Sequence, residues 1–130
     1  MKEQLSYYEN KLAYECDPAD LFEFLNEGKD IVVVDTRRTY AYGEEHIPGA
    51  ISLPHREMDE NTTQDLDRTK LYVCYCDGIG CNGSTKGSIK MTQLGFKVKE
   101  LIGGLEWWKK DGFATEGTLA SPGNRVSCAC

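Results

Sequence analysis

Cys76-Asp77-Gly78-Ile79-Gly80-Cys81-Asn82-Gly83 is the stretch of this chain best suited to chemistry. It places two cysteines and three glycines between a strand-like run, Leu71 to Tyr75, and a helix-like run, Ser84 to Leu94. A thiol at the end of a strand, followed by a glycine-rich turn into a helix, sits where backbone N–H groups converge. Those donors and the positive end of the helix dipole stabilise negative charge. Cys76 is therefore expected to have a lowered pKa and to react as a thiolate. The dipole supplies only ~0.3–2 kcal/mol, so most of the stabilisation has to come from direct N–H donors of residues 77 to 81.

The surrounding elements follow from periodicity and turn chemistry. Leu5, Tyr8 and Leu12 share one face of a short amphipathic helix within residues 2–14. Asp17-Pro18 reads as an N-cap followed by a proline at the first helical position, with Leu21, Phe24 and Leu25 turned inward and a stop near Gly28. Ile31 to Val34 is a run of four β-branched residues, suited to a strand buried on both faces. Pro48-Gly49 marks a turn, Ala50 to Leu53 a short strand, and Pro54 to Lys70 helix plus loop. Lys97 to Ile102 alternates as a strand, and Leu105 to Lys110 forms a helix carrying Trp107 and Trp108, read as core and cover. From Thr115 onward the chain is rich in Gly, Ser and Thr and is expected to be a loosely packed tail.

Strands alternating with helices predict an α/β fold with a mainly parallel sheet. Such folds place their sites at the carboxyl ends of strands. Asp35-Thr36-Arg37, the Cys76 loop and Gly103-Gly104 follow three successive strand ends, so one edge of the sheet should carry the site.

Composition narrows the function. The chain has 130 residues, 40% hydrophobic and 28% charged, as expected of one globular domain. A net charge of −6 argues against nucleic acid, whose phosphates need a basic surface. The longest apolar run is far too short to span a membrane. The N-terminus lacks the apolar segment of a secretory signal, which makes a cytoplasmic location the default expectation. Six cysteines in that setting read as chemistry or metal rather than as a disulfide framework. Cys74 shares a face with Cys76 and is expected to be buried.

The chain resembles a single-domain rhodanese-like protein. Asp35-Thr36-Arg37, the run His46-Ile47-Pro48-Gly49-Ala50-Ile51-Ser52-Leu53-Pro54, Tyr75-Cys76 with its loop, Leu94-Gly95-Phe96 and Leu101 to Trp108 carry the resemblance, in the family's order, from residue 17 to about residue 113. The resemblance implies a three-layer α/β/α domain with a five-stranded parallel sheet over residues 15–114, preceded by a helical extension (1–14) and followed by a tail (115–130) with a Cys-x-Cys pair. It implies sulfur transfer, in which the loop cysteine takes sulfane sulfur from thiosulfate or a persulfide, holds it as a persulfide and passes it to a thiol or cyanide. Cys76 matches that cysteine. Asp77, Gly78, Ile79, Gly80, Asn82, Gly83 and Lys86 would form the anion-binding loop, with Asp35, Arg37 and His46 in supporting positions. No cofactor or metal is assigned, and a protein thiol is a further candidate acceptor.

Three departures matter. Cys81 stands where an arginine usually follows the loop cysteine, the helix begins about two residues later than usual, and Tyr40 replaces a glutamate that often pairs with the arginine of Asp-x-Arg. The chain looks like the subset whose loop reads Cys-x4-Cys-Asn-Gly. Without the loop arginine, the bidentate partner of an oxyanion is missing, leaving Lys86 or Arg37 to supply positive charge. Cys81 can instead attack a Cys76 persulfide, closing a Cys76–Cys81 disulfide and releasing sulfide.

Plainer alternatives stand beside these. Cys76 and Cys81 can be small buried fillers, Asp35 and Arg37 a structural ion pair, and His46 a turn hydrogen bond. Cys128 and Cys130 are an inert end, a redox relay or, with Cys81, zinc ligands at unusual spacing. A rhodanese module for redox sensing or protein binding is the alternative function. A cysteine-based phosphatase or arsenate reductase ranks lower, because it needs a loop arginine and none follows Cys76 until Arg125.

Overall fold

The computed structural model describes residues 1–123. The element order is α1 (Lys2–Tyr14), β1 (Glu15–Cys16), α2 (Pro18–Asn26), β2 (Ile31–Asp35), α3 (Thr39–Glu44), β3 (Ile51–Ser52), a 3-10 turn (His55–Glu57), β4 (Leu71–Tyr75), α4 (Gly83–Gln93), β5 (Lys97–Leu101) and α5 (Gly104–Lys110). The strands form one five-stranded sheet in the order β1-β5-β4-β2-β3, with every pair parallel. This is the three-layer α/β/α architecture expected above.

The β-branched run of β2 pairs with β4 in a register that sets Val33 beside Val73 and Val34 beside Cys74. Successive residues point to opposite faces, so the sheet feeds two cores. Val33, Val73 and Tyr75 join Leu21, Leu105, Trp108 and Phe113 under α2 and α5. Val34, Tyr72 and Cys74 join Met91 of α4, Met58 and Phe96 on the other face. Leu21, Val34, Val73 and Met91 are wholly buried, each worth about 1.5–3 kcal/mol. At α2 the Asp17 carboxylate accepts from the Asp20 N–H at 2.8 Å and the Asp20 carboxylate accepts from the Asp17 N–H at 3.2 Å, a reciprocal cap.

Four features differ from the sequence expectations. Residues 54–70 form no α-helix, only the 3-10 turn and further turns. Asp59 accepts from the Thr62 N–H at 2.8 Å, Asp67 accepts from the Thr69 N–H at 2.8 Å, and the Thr63 hydroxyl donates to the Asp59 carbonyl at 2.8 Å. Such local bonds compete with a helical ladder. The short α3 and the two-residue β1 carry no sequence period and were not expected. The segment after Phe113 does not hang loose. The Thr115 and Ser121 hydroxyls donate to Glu45 at 2.6 and 2.9 Å, and the Thr118 and Leu119 N–H groups donate to the Gly43 and Glu44 carbonyls. Residues 115–121 thus strap α3 to the domain. Finally, α1 forms over the expected residues, but Leu5, Tyr8 and Leu12 remain 60, 54 and 79% exposed and the helix buries no residue.

Candidate active site

Cys76 leaves the end of β4 and enters a loop that closes on α4. Two neighbouring helices define its position. From α5, the Leu105 N–H donates to the Cys76 carbonyl at 3.0 Å and the Glu106 N–H donates to the Asp77 carbonyl at 2.8 Å. That approach requires Gly104, which sits at φ +56° with the Cys76 carbonyl where a Cβ would stand. From α4, Gly83 comes so close that a Cβ on it would lie 2.9 Å from Cys76 Sγ. Thr36 locks β2 to β4, its N–H and hydroxyl both donating to the Tyr75 carbonyl at 3.0 and 2.7 Å. Cys76 therefore stands at the junction of strand and helix, a residue only 4% exposed.

Cys76 is joined to Cys81 by a disulfide, with Cα atoms 6.3 Å apart. The Cys81 N–H donates to the Gly78 carbonyl at 3.2 Å, so this amide serves the loop's own turn rather than the sulfur. Ile79 is exposed at the loop tip and Asn82 occupies the N-cap of α4. The two free cysteines among the described residues, Cys16 and Cys74, are buried. Burial pushes each thiol up to about 12, which leaves them unreactive. Cys128 and Cys130 lie outside the described residues. Among those residues, no group of three or more His, Cys, Asp and Glu side chains could hold a metal ion.

Asp35 and Arg37 form a buried knot beside the loop. Arg37 grips Asp35 with Nε at 3.0 Å and Nη2 at 2.7 Å, and the Asp35 side chain is fully buried. The same guanidinium donates from Nη1 to Asp77 at 2.9 Å and from Nη2 to the Glu45 carbonyl at 2.6 Å. The Tyr75 hydroxyl donates to Asp35 at 2.9 Å and accepts from the Ile47 N–H at 3.1 Å. Burial opposes the charge on Arg37, but Asp35 and then Asp77 outweigh it and hold the guanidinium protonated. Burial, reinforced by Asp35, raises the Tyr75 phenol and keeps it neutral. Arg37 is thus engaged on three sides and positions the loop through Asp77.

In front of the Cys76–Cys81 pair lies a cleft of about 300 Å³. Lys86 lines it, together with Arg38, Tyr40, His55 and Arg56. Arg38, Arg56 and His55 were not among the residues singled out from sequence. The signal was present: Arg38 follows Arg37 at the end of β2, and His55-Arg56 follow the end of β3, a strand whose end had not been counted. No carboxylate among the described residues pairs with Arg38, Arg56 or Lys86. Burial lowers the His55 pKa, and the charges of Arg56, Lys86 and Lys90 lower it further. His46 is not part of this cleft. Its Nδ1 lies 2.7 Å from the Tyr42 carbonyl, its ring stacks on Tyr42, and its backbone exchanges two hydrogen bonds with Glu116 of the strap. Trp108 is buried in the core, whereas Trp107 is 41% exposed and outside the cleft.

Comparison with known proteins matches this geometry. The family of the rhodanese-like domain matches residues 17–111. Thiosulfate sulfurtransferase GlpE of Coxiella burnetii is 36% identical over 83 residues, covering 62% of this chain and 74% of that protein. The protein of the same name from Pseudomonas entomophila is 38% identical over 80 residues, covering 60% and 70%. The crystal structure of the BH2092 protein from Bacillus halodurans superposes with a TM-score of 0.88 at 45% identity, over 98% of this chain and 94% of that one. With the family match running over residues 17–111 and the all-parallel five-stranded sheet beneath it, the chain belongs to the rhodanese-like domain family.

Proposed function

We propose that this protein is a sulfurtransferase that carries sulfane sulfur on Cys76. The supporting observation is the place of the Cys76 sulfur, at the mouth of α4 and within bonding distance of a second loop cysteine. With the disulfide open, the Cys76 thiolate attacks the outer sulfur of a donor. For thiosulfate, the S–S bond breaks, sulfite leaves with the electron pair, and Cys76 holds an anionic persulfide. Gly83, the first residue of the 11-residue α4, lies against that sulfur, so the positive end of the helix dipole would favour the charge. A thiol or cyanide acceptor then attacks the outer sulfur and restores the Cys76 thiolate.

Cys81 opens a second route. Its thiolate attacks the inner sulfur of Cys76–S–SH, forms the Cys76–Cys81 bond and expels HS⁻. Two protein thiols are oxidised and the sulfane sulfur is reduced to sulfide. An external thiol reductant, of the kind a cytoplasmic setting supplies, reopens the bond for another turn. The same disulfide supports the second reading, a redox-responsive module with little turnover. The phosphatase reading finds no arginine in the loop.

Intact-mass measurement on reduced protein, freed of reductant and exposed to thiosulfate, tests the proposal. One sulfur should be gained by the wild type and none by Cys76→Ser. Cys81→Ser should hold its persulfide longer and release less sulfide when no external thiol is present. Sulfur gained equally by Cys76→Ser would overturn the assignment.

A further inference from the structure

A helix of 13 residues is marginal in water by itself, and α1 buries none of its side chains. Its Leu12 carbonyl accepts from Lys99 Nζ at 3.2 Å, a polar tie to β5. Between α1 and α4 runs an open groove of about 950 Å³. Tyr7 and Tyr14 form one wall, Ile89 the other, and Leu71, Phe96 and Val98 the floor. A helix about 10–12 Å across, rising about 1.5 Å per residue, fills that volume with about two turns. The flank of α1 outside the groove carries apolar surface of the same length. Leu5, Tyr8 and Leu12 cover two turns there and are exposed.

Charge sets the direction in which two such helices meet. Glu3, Tyr7 and Lys11 follow one another at spacings of four and form one stripe. Tyr7 and Lys11 of that stripe line the groove. Side by side in parallel, two copies of α1 set Glu3 on Glu3 and Lys11 on Lys11. Antiparallel about a two-fold axis at Tyr7, Glu3 of each copy meets Lys11 of the other. Lys11 holds Glu15 at 3.3 Å in an exposed pair that is worth little, so that bond yields to the new one.

We propose that this face is a two-fold interface between copies of this chain, with α1 of each lying antiparallel in the groove between α1 and α4 of the other. Leu5, Tyr8 and Leu12 of the incoming helix then cover Ile89 and the groove floor. The same patch serves on both copies, as a closed two-fold dimer requires. The interface goes beyond the sulfurtransferase function and does not depend on it. Its area is sufficient. Leu5, Tyr7, Tyr8, Leu12, Tyr14 and Ile89 are each more than half exposed, which leaves on the order of 600 Å² of apolar side chain open to water. A stable interface buries about 800 Å² per partner, a little over half of it apolar.

Analytical ultracentrifugation of the full chain tests this, with a thiol reductant present to exclude dimers linked through cysteine. The wild type should show a monomer–dimer equilibrium with a dissociation constant in the micromolar range or below. Glu3→Lys and Lys11→Glu should each raise that constant about tenfold, because like charges then face each other. An equimolar mixture of the two variants should recover the wild-type affinity as a heterodimer, since each supplies the charges that the other lacks. Recovery on mixing separates the interface from a mere loss of α1 helicity, which mixing would not repair. A wild type that stays monomeric up to about 100 µM would overturn the proposal. So would a dimer untouched by the charge reversals, or one weakened by them and not recovered on mixing.

Discussion

Arg37→Met is the most informative single perturbation of the scaffold. The wild-type guanidinium makes a bidentate pair with a fully buried Asp35, a bond to Asp77 and a bond to the Glu45 carbonyl. Methionine keeps comparable length and apolar bulk but leaves the Asp35 carboxylate without its cation. Breaking a buried pair from one side costs about 3–5 kcal/mol. Two donors to Asp35 survive, the Tyr75 hydroxyl at 2.9 Å and the residue 37 N–H at 3.0 Å, which places the expected loss near the lower end, about 3 kcal/mol. Removing both charges with Asp35→Asn, Arg37→Met should cost clearly less than the sum of the two single changes, by at least about 1 kcal/mol of coupling. Urea unfolding followed by tryptophan fluorescence measures this, with midpoints compared at unchanged slope. A loss below about 1 kcal/mol for Arg37→Met, or additive single and double variants, would refute the reading of Arg37 as the knot that fixes the loop.

Other expectations are smaller in scope. Reducing the Cys76–Cys81 bond, which closes a loop with a sequence separation of 5, should lower stability by about 2 kcal/mol through chain entropy, and the same reductant should not change Cys81→Ser in urea unfolding. At Glu45, burial opposes ionisation, but bonds from Lys109, Thr115 and Ser121 outweigh it and hold the carboxyl below its ordinary 4.5. A depressed folded pKa means that this stabilisation is present above about 4.5 and disappears as the pH falls through the folded value. Amide exchange at Thr118 and Leu119 should therefore accelerate, relative to the sheet, below pH 4.5, and Glu45→Gln should flatten that dependence. Gly83→Ala should leave a folded protein, helped by the higher helix propensity of alanine. Its Cβ would press on Cys76 Sγ at 2.9 Å, so loading of sulfur in the mass assay should fall at least about tenfold, equivalent to only ~1.4 kcal/mol; unimpaired loading would count against the close fit of α4 around the sulfur.

The parts of the fold legible from sequence are those in which local chemistry and tertiary demand agree. Ile31 to Val34 has a strand's composition and is a central strand. Asp17-Pro18 has a cap's composition and opens α2, with Asp17 and Asp20 capping its N-terminus reciprocally. The convergence of Asp35, Cys76 and Gly104 follows from parallel strands ending on one edge. What was not legible depends on distant partners. β1 is two residues long and exists through its pairing with β5, so no period announces it. Residues 115–121 carry a tail's composition, but Glu45, some seventy positions away, gives their hydroxyls a half-buried acceptor. Arg38 and Arg56 look like ordinary surface charges until the fold shows that both face the same cavity as Cys76.

The Cys76 loop is anchored unequally at its two ends. Its first residues are clamped by three independent attachments, the α5 amides on the Cys76 and Asp77 carbonyls and the Arg37 guanidinium on the Asp77 side chain. The far end is held by the sulfur–sulfur link and by the bond from the Cys81 amide to the Gly78 carbonyl. Cutting that link would leave the slack to Ile79 through Asn82, while the clamps on Cys76 and Asp77 would keep the Cys76 sulfur beside Gly83 at the mouth of α4. Under the proposed function the loop would act as a latch hinged beside Cys76, uncovering that sulfur without moving it.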